Sequence, residues 1–83
     1  MVQFIHVIKD PEGLHARLVA GVAAEARRWK SSCVVSCDSA HADATDPMAL
    51  LRLDAHCGDE LTIIVSGPDE EAAAMALQQV FAF

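Results

Sequence analysis

The chain has 83 residues, a formal net charge of −6 and a hydrophobic fraction of 53%. These values predict a single folded domain over residues 1–83, and the negative charge argues against nucleic-acid binding. No apolar run approaches the roughly 20 residues that cross a bilayer, and residues 1–10 lack the basic start of a signal peptide. We therefore expect a cytoplasmic protein without membrane insertion.

The first half of the chain predicts two strands separated by a helix. VQFIHVI (2–8) alternates as a strand does, although the pattern does not say which face is buried. DPEG (10–13) fits a type I turn, with Asp, Pro and Gly in favoured positions. From Ala16 to about Trp29, apolar residues at helical spacing predict a first helix. SCVVSC (32–37) alternates again and predicts a second strand.

The middle of the chain predicts a short strand, a short helix and a long strand. DSAHADA (38–44) favours a polar hairpin with a third strand. DPMALLRL (46–53) favours a second helix, with Asp46 as its cap and Pro47 at its first position. ELTIIVSG (60–67) is typical of a buried strand.

A third helix is predicted over residues 67–83, with Pro68 at its first position and Ala73, Leu77 and Val80 on its buried face. The element order is then β-α-β-β-α-β-α. Because each helix has one apolar stripe, we expect all the helices on one face of a four-stranded sheet.

His15 stands where the first helix begins, although Ser, Thr, Asp and Asn are the side chains that cap helices best. A poor cap leaves the N–H groups of Ala16 and Arg17 partly free to bind an anion, above all phosphate. Arg17 adds a charged fork suited to phosphate, and a neutral imidazole is a nucleophile. The three features predict a histidine that takes a phosphoryl group. Acid–base catalysis is less well supported because no carboxylate partner is obvious nearby, and a purely structural or exposed histidine is the alternative.

The segment GLHAR (13–17), followed by a helix of small residues, resembles the active-site segment of HPr, the histidine-containing phosphocarrier family of the bacterial phosphotransferase system. Length, element order and GDELTIIVSGPDEEAA (58–73) extend the resemblance over the whole chain. The resemblance implies an α+β open-faced β-sandwich, with an antiparallel sheet of order 1-4-2-3 and three helices on one face.

The resemblance also implies the chemistry. His15 would accept phosphate on Nδ1 from phospho-enzyme I, assisted by Arg17, and pass it to a sugar-specific IIA protein. The chain would act as a phosphoryl carrier rather than an enzyme, as a monomer and without a cofactor.

Two positions depart from the family pattern, and six others bear on its partners. Leu18 replaces the usual Pro, which restores a backbone donor and a more mobile first turn. Asp46 replaces a serine that is a regulatory phosphorylation site in many members; it is either a plain helix cap or a built-in negative charge. The positions that match the family's docking surface are Ala20, Ala24, Arg27, Pro47, Met48 and Leu51, although Met48 and Leu51 could equally be core residues.

No metal site is predicted from the four histidines and three cysteines. Cys33 and Cys37 lie about 13 Å apart on an extended strand, too far to share a zinc ion that needs sulfurs at about 2.3 Å. His56 and Cys57 are adjacent in the chain and would chelate one ion poorly. The three cysteines cannot all pair within the chain, which favours reduced thiols.

Three functions therefore remain open. The first is a phosphocarrier in sugar uptake. The second is the same chemistry in a regulatory branch, either nitrogen-related or for dihydroxyacetone phosphorylation. The third is a docking module that carries no phosphate, against which the presence of both His15 and Arg17 argues.

Overall fold

The structure is a computed structural model that describes residues 1–82, so Phe83, included in the predicted third helix, lies outside the described residues. The elements follow in the predicted order, as β1 Val2–Val7, α1 Ala16–Ala26, β2 Ser32–Cys37, β3 Ala40–Asp43, α2 Pro47–Arg52, β4 Glu60–Ser66 and α3 Glu70–Phe81. The strands form one antiparallel sheet of order β1-β4-β2-β3. The expected α+β open-faced sandwich, with three helices over one face of the sheet, is therefore confirmed.

Alternation along the central strands places the core between sheet and helices. Alternate residues of β4 from Leu61 to Val65 are fully buried beneath the helices. In β1, Ile5 and Val7 are 59% and 42% exposed, so His6 and the other even-numbered residues point inward. The structure thus identifies the buried face of β1, which the sequence pattern leaves open.

The first helix is shorter than predicted. It ends at Ala26 rather than at Trp29, and its buried stripe consists of Leu18, Val19, Val22, Ala23 and Ala26. Beyond it, the N–H groups of Arg28 and Trp29 donate to carbonyls three residues back, at 3.1 and 3.4 Å, so the backbone tightens into turns. The indole N–H of Trp29 donates to Glu25 at 2.9 Å, and the ring packs on the core from this turn.

The third helix begins later than predicted. Its cap is Asp69 and its first residue is Glu70, so Pro68 precedes the helix instead of opening it. The Asp69 carboxylate accepts the N–H groups of Lys30 and Ser31, both at 2.9 Å, which ties the start of α3 to the segment after α1. The buried face consists of Ala73, Ala74, Leu77 and Phe81, whereas Val80 is only partly buried.

No helix among residues 1–82 has the length and apolar character needed to cross a bilayer.

Candidate functional site

A tight turn after β1 leads the chain to the start of α1. The N–H of Gly13 donates to the Asp10 carbonyl at 2.9 Å, and the N–H of Glu12 donates to Asp10 Oδ1, also at 2.9 Å. These bonds are those of the turn predicted from DPEG, in which the aspartate side chain also binds the backbone two residues on. We call this turn, residues 10–13, the corner, and His15 follows two residues after it.

The corner is docked on the segment between α2 and β4. The N–H of Leu14 donates to the Ala55 carbonyl at 3.1 Å, and the N–H of Gly58 donates to the Ile8 carbonyl at 2.7 Å. Gly13 has φ +73°, and a Cβ built there would lie 2.5 Å from the Ala55 oxygen. Glycine is therefore required for the backbone that positions the histidine.

Gly13→Ala is expected to lower the free energy of unfolding by about 2 kcal/mol or more, because a left-handed backbone and a close contact both oppose a methyl group. Urea unfolding measures the effect. The matched control is Gly21→Ala in α1, where the new Cβ would meet Val80 Cγ1 at an ordinary 3.7 Å. That variant should gain about 0.5–1 kcal/mol, and equal stability of the two variants would contradict this geometry.

His15 is the N-cap of α1, with extended backbone at φ −89° and ψ 169°. Its Nδ1 accepts the N–H of Leu18 at 3.4 Å, and its Nε2 lies 2.9 Å from Asp10 Oδ2. About a quarter of the His15 side chain is exposed. Both ring nitrogens therefore have a partner within the protein, and the ring is held in one orientation.

These two contacts determine which ring nitrogen carries the proton. A backbone N–H can only donate, so His15 Nδ1 must accept from Leu18 with its lone pair. The proton of the neutral ring then lies on Nε2 and is donated to the Asp10 carboxylate. Nδ1 is consequently the ring nitrogen of this histidine that has no proton and keeps its lone pair.

Asp10 is a residue of the candidate site that the sequence patterns failed to reveal. No carboxylate partner of His15 is obvious from the sequence, but the turn brings Asp10 back against the ring. The pKa of Asp10 lies below its usual value, chiefly because its carboxylate accepts the Glu12 N–H and also because it pairs with His15, although partial burial opposes both. An ionised Asp10 is therefore available to balance positive charge on the imidazole. In the sequence, Asp10 is only the first residue of the predicted turn, and that position alone accounts for an Asp.

The backbone donors of the first turn of α1 fall into two groups. Among residues 1–82, no hydrogen bond uses the N–H of Ala16 or Arg17, as expected for an incompletely capped helix. The N–H of Leu18 is engaged, because the His15 ring caps it weakly. Two backbone donors at the positive end of the helix thus remain available beside Nδ1.

A cleft of about 280 Å³ opens beside the ring, between the end of β1, the start of α1 and the end of α3, and it is bordered by both His15 and Arg17. His6 lines the same cleft and lies 5.3 Å from the Phe81 ring, centroid to centroid. Burial, and to a smaller extent the charge of Lys9, lowers the pKa of His6. His6 is therefore a neutral neighbour of the site.

The positions that match the family's docking surface are mostly accessible. Met48 and Leu51 are 58% and 38% exposed, so the alternative that they are core residues is wrong. Ala20, Ala24 and Arg27 are exposed, while Pro47 is half-buried. Ala20 and Ala24 on α1 and Arg27 at its C-cap follow at helical spacing from the His15 end, and α1 packs against α2.

Asp46 caps α2 as predicted. Its Oδ1 accepts the N–H groups of Met48 and Ala49 at 3.1 and 3.3 Å, and Pro47 takes the first helical position.

Asp10, Glu12 and His15 also form a cluster of possible metal ligands, although no metal site is predicted from the sequence. Each offers one ligand atom, and these atoms lie within 4.8 Å of one another. An ion bound at Nε2 would have to displace the proton that His15 shares with Asp10. The two strand cysteines, Cys33 and Cys37, are buried at 4% and 6% exposure, while Cys57 is exposed.

An open-faced sandwich of sheet order β1-β4-β2-β3, whose first helix is capped by a histidine next to an arginine, defines the class of HPr-like α+β proteins. The comparisons with known proteins agree. A family model described as "PTS HPr component phosphorylation site" matches residues 2–82. The chain belongs to the HPr family of phosphocarrier proteins of the phosphotransferase system.

Individual relatives show the same likeness. The chain is 36% identical over 69 residues to the phosphocarrier protein HPr of Treponema pallidum, covering 83% of this chain and 78% of the relative. It is 35% identical over 79 residues to HPr of Mycoplasma genitalium, covering 94% and 90%. A solved structure of the histidine-containing phosphocarrier protein of Mycoplasma superposes with a TM-score of 0.93 at 28% identity, over 95% of this chain and 90% of that one.

Proposed function

We propose that this chain carries a phosphoryl group on His15 Nδ1, taken from phospho-enzyme I of the phosphoenolpyruvate-dependent phosphotransferase system and passed to a IIA protein for sugar uptake in the cytoplasm. One observation carries the proposal: Asp10 and Leu18 together leave the Nδ1 lone pair facing the start of α1. Incubation with phosphoenolpyruvate and enzyme I, followed by phosphorus NMR, tests it. An acid-labile phosphohistidine is expected.

The transfer step follows from the tautomer. The Nδ1 lone pair forms the new N–P bond, and the bond from phosphorus to its carrier atom on enzyme I breaks, with its electron pair returning to that atom. His15 keeps its proton on Nε2 and becomes positively charged, next to the ionised carboxylate of Asp10. On transfer to the acceptor the N–P bond breaks and its electron pair returns to Nδ1, so no proton has to leave or enter the site.

The start of α1 stabilises the added phosphoryl charge. The N–H groups of Ala16 and Arg17 are unused within residues 1–82, and a helix start attracts anions. The Arg17 side chain is exposed beside the cleft, where its guanidinium can reach the phosphoryl oxygens of this protein or of a docked partner. The docking positions, most of them exposed, lie on α1, at its C-cap and on α2, and they combine apolar side chains with the charge of Arg27.

Arg17→Ala is expected to slow phosphoryl transfer by roughly ten- to a hundred-fold, because one hydrogen bond between charged groups is lost. Its stability should change by less than about 0.5 kcal/mol, since the residue is exposed. Rapid-quench kinetics with phospho-enzyme I and thermal unfolding measure the two quantities. Arg28→Ala, at an exposed arginine that pairs with Glu25, is the matched control and should transfer normally. Equal rates for the Arg17 variant and the wild type would contradict the assignment.

The regulatory branch uses the same chemistry, so the acceptor decides between it and sugar uptake. Phosphoprotein offered separately to sugar-specific and nitrogen-related IIA proteins, and to a dihydroxyacetone-branch acceptor, should discharge fastest to its own partner. A protein that docks on these partners but never takes up phosphate would instead be the regulator without transfer activity.

Asp46 is expected to exempt this chain from phosphorylation at the start of α2, because it has no hydroxyl group. Asp46→Ala should lose about 1 kcal/mol of stability, and Asp46→Ser should keep most of it because Ser is also a good cap. Treatment with an HPr-type kinase and ATP, followed by mass spectrometry, should label only the Ser variant. Efficient labelling of the wild type at Thr45 would show that the regulatory site had moved by one residue.

A further inference from the structure

The N–H of Leu18 donates a hydrogen bond to His15 Nδ1, the atom that must attack phosphorus under the proposed function. It points at His15 Nδ1 from 3.4 Å, a long contact for a hydrogen bond. The amide is held in place on both sides. The Leu18 side chain is only 9% exposed within the core, and the next N–H, that of Val19, donates to the His15 carbonyl at 3.0 Å.

Attack by Nδ1 removes the acceptor of this bond without moving the donor. When the lone pair enters the new N–P bond, the ring nitrogen can no longer accept, and the phosphoryl oxygens lie on the side that Leu18 faces. A donor that served a neutral nitrogen then meets negatively charged oxygen, and such charge-assisted bonds are shorter and roughly twice as strong. The Leu18 proton stays on its own nitrogen throughout.

We propose that the backbone N–H of Leu18 follows the phosphoryl group, binding Nδ1 in the free protein and a phosphoryl oxygen in the phosphorylated protein. This inference rests on the proposed function and extends it. It makes Leu18 a third backbone donor to the phosphoryl group, beside Ala16 and Arg17. A proline at this position cannot donate because it has no N–H. The consequence is a phosphorylated form that is more stable in this chain than in the corresponding proline variant.

Three forms of the protein distinguish the effect of the Leu18 N–H from the effect of its side chain. Leu18→Pro removes the N–H at a position where the first turn of a helix tolerates proline. A semisynthetic protein with the α-hydroxy acid of leucine at position 18 removes the N–H but keeps the buried side chain. Leu18→Met keeps the N–H and nearly the same volume, and it is the matched control.

The measurement is the equilibrium fraction of phosphoprotein at fixed phosphoenolpyruvate and pyruvate, with catalytic enzyme I, read by phosphorus NMR. Both forms without the N–H should show an equilibrium constant for phosphorylation about tenfold lower than the wild type, which corresponds to about 1.4 kcal/mol. Leu18→Met should match the wild type. Wild-type values in both N–H-free forms, or an equal loss in Leu18→Met, would overturn the inference.

A second readout does not depend on the equilibrium. In nitrogen-labelled protein the Leu18 amide resonance should shift on phosphorylation and acquire coupling to phosphorus across the hydrogen bond. If His15 is phosphorylated while the Leu18 amide resonance stays unchanged, this inference fails and the proposed function stands. If His15 takes no phosphate at all, the proposed function fails and this inference falls with it.

Discussion

His15→Ala is expected to abolish labelling by phosphoenolpyruvate and enzyme I completely, because the variant lacks the ring nitrogen whose lone pair lies beside the unused N–H groups of Ala16 and Arg17. The protein should still fold. Alanine at the N-cap loses the two bonds of the ring, the long one to the Leu18 N–H and the one to Asp10, while the backbone bonds that dock the corner remain. Phosphorus NMR of the variant should show no phosphohistidine signal, while unfolding should remain cooperative.

The other histidines provide an internal control. His6, His41 and His56 are all present in the His15 variant, so any of them that accepts phosphate would still be labelled. His6 is a useful comparison because it lines the same cleft, yet it is not at a helix start. A phosphohistidine signal that survives in His15→Ala would refute the assignment of the acceptor.

Asp10→Asn is expected to slow phosphoryl transfer at least about 100-fold through the tautomer of His15. Asp10 Oδ1 accepts the Glu12 N–H, and Oδ2 faces the ring. In the variant the amide oxygen keeps the Glu12 bond, which turns the NH₂ group toward Nε2. Nε2 must then accept, and the proton moves to Nδ1, where it blocks attack and meets the N–H of Leu18.

Asp10→Ala separates this effect from the loss of charge. Both variants lack the carboxylate, but alanine leaves Nε2 to water and the ring free to choose its tautomer. The expected order of transfer rates is therefore wild type, then Asp10→Ala, then Asp10→Asn, with nitrogen NMR reporting the tautomer in each. An Asn variant at least as fast as the Ala variant would show that Asp10 acts only through its charge.

The core of the fold could be predicted because its signals are periodic and local. Alternation in β4 and the apolar stripe of α1 each repeat at the spacing of their element, and both are buried as expected. The ends of helices depend on contacts distant in sequence. The cap of α3 is Asp69, whose carboxylate binds the N–H of Ser31 far away along the chain, and no local pattern indicates this contact.

The candidate site likewise has a part that local sequence predicts and a part that depends on distant contacts. The positions of His15 and Arg17 at an incompletely capped helix start could be predicted, because capping involves only neighbouring residues. The contact between Asp10 and the ring depends on how the corner is docked against Ala55, and the cleft depends on Phe81 at the far end of the chain. Because Leu18 stands where the family usually has Pro, the sequence predicts an additional backbone N–H, but only the structure identifies His15 Nδ1 as its acceptor.

The position of phosphorus on the His15 ring tests the central claim most directly. Nitrogen-labelled protein phosphorylated by enzyme I should show, in proton–nitrogen–phosphorus NMR, a one-bond coupling from phosphorus to Nδ1 of His15 and a retained proton on Nε2. That result would follow from the Asp10 and Leu18 contacts that fix the tautomer. Phosphorus bonded to Nε2, or to any residue other than His15, would contradict it.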